Sequence, residues 1–180
     1  MRFPKFLISA AIFAALTGPA FAAGSDDSKP PRTTKTTLKC ERGQIYDRKT
    51  KSCLDAKSEA FSDEERYDAV RELAYANQFD RAQMVIAAAD MPQDPRFLNY
   101  MGFINRKQGN MGAAMEYYQA ALSIDPDYIL ARSYMGQGLL SQGDKIGATT
   151  QLREIAARGG RETWAYAALE QALYTGSHTY

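Results

Sequence analysis

The chain has 180 residues, 45% of them hydrophobic, with 22 Lys/Arg and 21 Asp/Glu for a net charge of +1. The charge is unevenly spread: residues 23–57 hold nine cationic and five acidic side chains, whereas residues 58–180 hold eleven and sixteen. Because the larger part is acidic, we do not expect a broad nucleic-acid-binding surface. The length allows one modest domain.

The N-terminus has the features of a secretory signal peptide. Arg2 and Lys5 precede an apolar stretch over residues 6–16, and Ala20 and Ala22 supply the small residues expected before a cleavage site. A membrane anchor is the alternative, but the apolar stretch is shorter than the roughly 20 residues that span a bilayer. We therefore predict a signal peptide over residues 1–22, cleavage after Ala22, a periplasmic or secreted protein, and no transmembrane segment in its mature form.

Two short segments precede the main domain. Residues 23–38 are rich in Ser, Asp, Lys, Pro and Thr, which predicts a disordered linker. Residues 39–57 contain the two cysteines, Cys40 and Cys53, and in an exported protein such a pair predicts one disulfide. Residues 45–46 favour a strand and the polar run after them favours a turn. We expect a small β-hairpin stapled by the disulfide.

From residue 58 onward the sequence predicts helices. Ser62 and Glu65 form a capping box at the start of the first one. Short turns separate the helical stretches, so we expect neighbouring helices to pack antiparallel. Further predicted helix boundaries are Asp94-Pro95, Gly109-Asn110, Asp125-Pro126, Gly143-Asp144 and Gly159-Gly160.

An internal repeat organises these helices. Residues of the same or similar type recur 34 positions apart, and a third, weaker copy begins 32 residues before Met101. The recurring residues are Met101-Gly102 and Met135-Gly136, Gly109 and Gly143, and Ala114 and Ala148. Such a period indicates stacked supersecondary units that bury a continuous core between them.

These residues resemble the tetratricopeptide repeat family. The residues that carry the likeness in the middle unit are Met101-Gly102, Gly109, Ala114, Tyr118, Ala121 and Pro126. The resemblance implies an all-α, right-handed superhelical stack of antiparallel helix hairpins. We place the repeats at residues 63–94, 95–128 and 129–160, and a capping helix at 162–174, within a domain of residues 58–180.

The resemblance also implies a concave groove lined by the first helix of each repeat, where a partner protein or peptide would bind. Arg and aromatic side chains are effective binding anchors. For Arg106 and Lys107, favourable placement at a helix C-terminus is an equal alternative. The implied groove residues are Tyr67, Arg71, Asn99, Phe103, Arg106, Lys107, Ser133 and Gln137. We expect such positions to face solvent.

The sequence offers no recognisable catalytic constellation. The single histidine, His178, lies in the C-terminal tail without a partner. We therefore predict no enzyme, no cofactor and no metal. The favoured function is an exported protein–protein interaction scaffold. The alternative is an envelope factor that docks on cell-wall polymer through the Cys40–Cys53 hairpin and the basic linker.

Overall fold

The computed structural model describes residues 31–176. The predicted signal peptide, residues 23–30 of the predicted linker and His178 lie outside the described residues. The described part is mostly helical and contains a two-stranded antiparallel sheet. Its elements are α1 (Lys35–Lys39), β1 (Gln44–Asp47), β2 (Ser52–Asp55), α2 (Asp63–Tyr75), α3 (Phe79–Ile86), α4 (Pro95–Lys107), α5 (Met111–Ile124), α6 (Ile129–Ser141), α7 (Lys145–Ala157), a 3-10 helix (Gly160–Glu162) and α8 (Trp164–Thr175).

The predicted β-hairpin and its disulfide are confirmed. β1 pairs with β2 in a register that places Tyr46 opposite Cys53. Cys53 is joined to Cys40 by a disulfide whose Cα atoms lie 5.4 Å apart. A two-stranded hairpin is marginal in water by itself. This one also buries Ile45 and the following Ala56 and Phe61 in the main core.

Several helix starts follow the local sequence signals. Ser62 and Glu65 form the reciprocal capping box of α2, and Asp94 accepts the N–H of Arg96 ahead of Pro95. These contacts satisfy backbone N–H groups that have no partner within the helix. At the end of the chain, Thr163 caps α8 in the same way.

The helix start predicted at Asp125-Pro126 is wrong. Asp125 ends α5, and α6 begins only at Ile129. The carboxylate of Asp125 accepts the N–H of Asp127 instead, which closes a local turn. A short Asp side chain satisfies nearby backbone N–H groups in a turn as readily as at a helix start.

The helices pack as consecutive pairs, α2 with α3, α4 with α5 and α6 with α7, and α8 covers α6 and α7. A small residue permits close approach within the middle pair: a Cβ on Gly102 would lie 2.5 Å from the Tyr118 ring. A Cβ on Gly136 would lie 2.6 Å from Leu169 of α8 and 3.3 Å from Gln151 of α7, so this glycine permits close approach of both helices. The first helices α2, α4 and α6 also contact one another in sequence.

The last residues of the predicted linker are ordered, which corrects that part of the prediction. α1 overlaps the end of the segment assigned to the linker and contacts α2. Thr36 is 4% exposed, and Thr34 caps the helix by accepting the Thr36 N–H. The segment is polar in composition, but it folds because its hydrogen-bonding partners lie in α2.

Candidate functional site

A cleft of about 790 Å³ opens between the N-terminal segment, the hairpin and α2. Volumes of this size are typical of ligand-binding sites. Its wall from the N-terminal segment runs over residues 31–36, its hairpin wall over residues 45–51, and α2 forms the third side. The three walls come from parts of the chain that sequence analysis assigned to different roles.

Glu72 fixes the N-terminal wall to α2. Its carboxylate is 6% exposed and accepts the backbone N–H groups of Thr34, at 2.7 Å, and Thr37, at 2.9 Å. The hydroxyls of both threonines also donate to it. A buried carboxylate loses its hydration, and these four hydrogen bonds replace the lost water contacts.

Arg81 and Thr36 extend this attachment. The guanidinium of Arg81 donates to the carbonyl oxygen of Thr36 at 2.8 Å, and Thr36 Oγ1 accepts the N–H of Tyr46 at 3.2 Å. α1 therefore touches both α2–α3 and the outer edge of β1. Sequence analysis did not predict that this segment is attached to α2, because Glu72 and its threonine partners are separated by 35 and 38 residues.

The tip of the hairpin forms the cationic wall. Asp47 holds the turn by accepting the N–H groups of Lys49 and Thr50 and the Thr50 hydroxyl. The Thr50 hydroxyl, followed by the two backbone N–H groups, lowers the pKa of Asp47 below its ordinary 3.8. Lys51 adopts φ 58°, a left-handed conformation that brings the turn into β2. Arg48, Lys49 and Lys51 are exposed around this turn.

Tyr46 adds an aromatic surface beside these cations. The ammonium of Lys35 lies 4.7 Å from the centre of the Tyr46 ring and donates to its hydroxyl at 3.1 Å. A cation over an aromatic face is attracted to the ring electrons. This contact places a cation of the N-terminal segment over the first strand.

Arg66 joins the hairpin to α2 below the cleft. It is 2% exposed, and its Nε donates to the carbonyl oxygen of Ala56 at 2.9 Å. The same guanidinium forms ion pairs with Asp63 at 2.9 Å and Asp90 at 3.0 Å. The hairpin, the start of α2 and the loop after α3 are therefore held by one side chain.

The predicted groove residues lie together, but seven of the eight are buried. Lys107 is the exception: most of its side chain is exposed, and partial loss of hydration, followed by the nearby Arg106 charge, lowers its pKa. Arg106 is 8% exposed and lies over the rings of Phe103, at 5.5 Å, and Tyr134, at 5.9 Å. The expectation that these positions face solvent is wrong for this group, since large aromatic side chains fill the space between the first helices. The buried members are Tyr67, Arg71, Asn99, Phe103, Arg106, Ser133 and Gln137.

Polar atoms remain inside this aromatic layer. Tyr67 and Tyr128 share a hydrogen bond of 3.2 Å between their hydroxyls, and burial, then the Tyr128 and Tyr100 hydroxyls, raises the pKa of Tyr67. The side-chain amide oxygens of Asn99 (Oδ1) and Gln137 (Oε1) have no hydrogen-bond partner among residues 31–176. The resemblance implied that Asn99 and Gln137 line a groove open to solvent, whereas both side chains are buried.

Within the described range, no three His, Cys, Asp or Glu side chains form a group that could hold a metal ion. The helices in the same range are too short or too polar to traverse a bilayer.

Comparison with known proteins gives one similarity. The chain is 29% identical over 90 residues to a protein of Pseudomonas putida named "Probable biofilm formation methyltransferase WspC". The likeness covers 50% of this chain and 21% of that protein, so this chain matches about a fifth of the relative's length. No family model matches the chain, and no solved structure matches it.

This relative corrects one prediction. Sequence analysis predicted a protein that is not an enzyme, because no catalytic constellation was recognisable. The similar protein carries the name of a methyltransferase, which contradicts that prediction. The absence of a familiar motif was too weak a ground for excluding catalysis.

Proposed function

We propose that this protein is a tetratricopeptide-type interaction scaffold of the cell envelope, with a right-handed stack of three helix pairs that binds a partner protein or peptide. The observation that supports the proposal is the equivalence of positions in successive pairs. Gly102 and Gly136 are each the eighth residue of their helix, α4 and α6. Ala82, Ala114 and Ala148 are each the fourth residue of α3, α5 and α7.

Position-by-position equivalence of this kind is what stacking of repeated units requires, because each pair must present the same surface to the next. The Cys40–Cys53 disulfide supports placement in an oxidising compartment. The predicted signal peptide belongs to the same proposal.

Site-specific crosslinking in intact cells tests this function. A photoreactive residue at Lys51, beside the cleft, and another at Lys145, at the start of α7, would be compared in the full chain. Both side chains are exposed. We expect a discrete crosslinked protein from one of the two positions, and saturable binding of that protein after purification. If neither position yields a partner that binds the purified chain, the scaffold function is wrong.

Docking on cell-wall polymer is a second candidate, favoured by the cationic turn of the hairpin. Sedimentation of the oxidised protein with purified cell-wall material tests it. Retention that disappears when Arg48 and Lys51 become Glu would support polymer docking. Retention unaffected by that change would count against it.

A role in methyl transfer is a third candidate, and the similarity to the named methyltransferase favours it. Calorimetric titration of the purified chain with S-adenosylmethionine, a common methyl donor, tests this role directly. Saturable binding would support it. Without binding, a catalytic role would require the parts of the relative that this chain does not match.

A further inference from the structure

The cleft between the N-terminal segment, the hairpin and α2 has a chemical character of its own. Among the described residues that line it, six are cationic and four acidic. The excess of cations matters because the acidic side chains make their hydrogen bonds within the protein, whereas several of the cations point to solvent. The inference below rests on the proposed scaffold function and gives that function a ligand class.

Three of the carboxylates have their hydrogen bonds directed inward. Glu72 is occupied by the two threonines and Asp47 by its own turn. Glu65 accepts the N–H of Ser62 at 2.9 Å in the α2 capping box. The fourth, Asp68, lies 4.0 Å from the guanidinium of Arg71. These contacts hold the carboxylates in place without cancelling their charge, so the lining keeps a net charge of +2, six cations less four carboxylates.

The cations at the rim are available to a ligand. Arg48 and Lys51 are exposed, and neither makes a side-chain hydrogen bond or ion pair with another described residue. Lys35 lies over Tyr46 and faces the same cleft. Exposed cations around one concavity raise the local concentration of anions and speed their encounter.

Part of the lining of the cleft is apolar. Ile45, Phe61 and Ala69 line it but are almost fully buried, so most of the accessible apolar surface comes from the half-buried Tyr46 and Pro31. A ligand that fits must combine negative charge with apolar groups. An acidic peptide with interspersed apolar side chains has both, whereas an acidic polysaccharide has the charge but little apolar surface.

The walls are held in place before any ligand arrives. The disulfide closes the hairpin, and the Glu72–threonine contacts hold the opposite wall. A site that is already ordered loses less conformational entropy on binding.

We propose that this cleft binds an extended acidic peptide segment of a partner protein, with its carboxylates on the rim cations Arg48, Lys51 and Lys35 and its apolar side chains against Tyr46 and Pro31.

Fluorescence anisotropy tests the proposal with defined peptides and the oxidised mature chain. The probe is a labelled peptide, Glu-Leu-Glu-Glu-Leu-Glu-Glu-Leu, which extends over roughly 26 Å. Its matched control has Gln in place of every Glu. We expect the acidic peptide to bind at least about tenfold more tightly, with an affinity that falls as salt is raised. Equal binding of the two peptides would overturn the proposal.

Charge reversal locates the site. The double variant Arg48→Glu, Lys51→Glu should weaken binding at least about tenfold at low salt, since it replaces attraction by repulsion. The matched control Lys145→Glu, Arg153→Glu makes the same charge change at exposed positions on α7 and should bind within about twofold of wild type. An equal loss in both would show attraction by overall charge only, and the proposed site would be wrong. If the first variant fails to fold, Arg48→Gln, Lys51→Gln replaces it with a smaller expected loss.

Two further outcomes separate this inference from the scaffold function. An alginate oligosaccharide that binds more tightly than the peptide and displaces it would assign the cleft to an acidic polymer and overturn the peptide proposal. A partner that was captured by crosslinking and then binds purified wild type and the Arg48→Glu, Lys51→Glu variant equally well would leave the scaffold function standing while rejecting this cleft as its binding site.

Discussion

At one end of the helical pairs, α2 is covered by the N-terminal segment and the hairpin, through hydrogen bonds to Glu72 and Arg66 and through buried apolar residues of the hairpin segment. At the other end, α6 and α7 are covered by α8 through small and apolar side chains. The N-terminal contacts converge on two buried charged residues, Glu72 and Arg66, which are 6% and 2% exposed. The C-terminal contacts are made by Ala165, Leu169 and Ala172, which lie on one face of α8.

The two ends therefore depend on different conditions. Apolar burial is largely insensitive to pH and salt and scales with the area removed from water. Buried charged groups require every partner to be present, because an unmatched buried charge is strongly destabilising. A perturbation can thus weaken one end while leaving the other intact.

The largest effect is expected from Leu169→Ala in α8. Leu169 is fully buried against Gly136, and its truncation leaves a cavity that the backbone on either side cannot fill. We expect a loss of about 2–5 kcal/mol in the free energy of unfolding, measured by urea denaturation. Ile146→Ala, at a position 83% exposed, is the control and should change it by less than about 0.5 kcal/mol. Similar losses for both would mean that α8 does not close the stack.

Removing the disulfide should lower the free energy of unfolding of the hairpin by about 3 kcal/mol, which is the chain-entropy estimate for a loop of this size. The variant Cys40→Ser, Cys53→Ser can be followed by hydrogen exchange of the Ala56 N–H, which bonds to the Gly43 carbonyl at 2.8 Å. Exchange there should accelerate, while the helical circular dichroism signal melts at nearly the same temperature. A joint collapse of hairpin and helices would show that the two ends are not independent.

A smaller, local loss of about 1–2 kcal/mol is expected for Glu72→Gln, because an amide offers one acceptor oxygen where the carboxylate offers two. Exchange of the Thr34 and Thr37 N–H groups should accelerate, since both donate to Glu72. Glu170→Gln, on the exposed side of α8, is the matched control. Unchanged exchange in the Glu72 variant would argue against the ordered α1 segment.

Acid should produce the mildest and most selective effect. Burial opposes ionisation of Asp63, but hydrogen bonds from the Asp90 and Met91 N–H groups and from Arg66 outweigh it and lower its pKa below 3.8. A hydrogen bond from the Ser62 N–H, the largest contribution, lowers the pKa of Glu65 below 4.5. Because both folded-state pKa values are depressed, their stabilisation is present above these ordinary values and is lost as the pH falls through the folded ones.

Hydrogen exchange between pH 5 and about pH 2 would therefore show α2 loosening before α8. The variant Asp63→Asn has no titratable group at position 63, so hydrogen exchange in α2 should depend less on pH. If α8 loosens first, the lowered pKa values do not control the N-terminal end.

The sequence allowed prediction of those features whose causes are local. The capping box at Ser62, the Pro95 start and the Cys40–Cys53 pair each act within a few residues or carry an unambiguous chemistry, and the structure has all three. The 34-residue spacing predicted which positions of successive helices hold small residues.

Long-range polar contacts escaped prediction. Nothing near Glu72 in the sequence indicates that threonines 35 and 38 positions earlier will surround its carboxylate. The polar composition of the linker suggested disorder. Its last residues are nevertheless ordered, because Glu72, far along the chain, accepts their hydrogen bonds. The predicted groove residues do lie on the first helix of each pair, α2, α4 and α6. A periodic pattern does not reveal how much of a helix face is covered by neighbouring helices. Arg106 was therefore expected in solvent, although it is buried.

The attachment of α1 to Glu72 also has a mechanical consequence. A pulling force that enters the chain at Pro31 reaches Thr34 and Thr37 before it reaches Cys40, so the first bonds loaded are those to α2. The Cys40–Cys53 loop lies behind that attachment and is shielded from the load while the threonines hold. A protein tethered from this side would therefore transmit tension into the helical body first and keep the cationic turn of the hairpin in shape until the Glu72 contacts rupture.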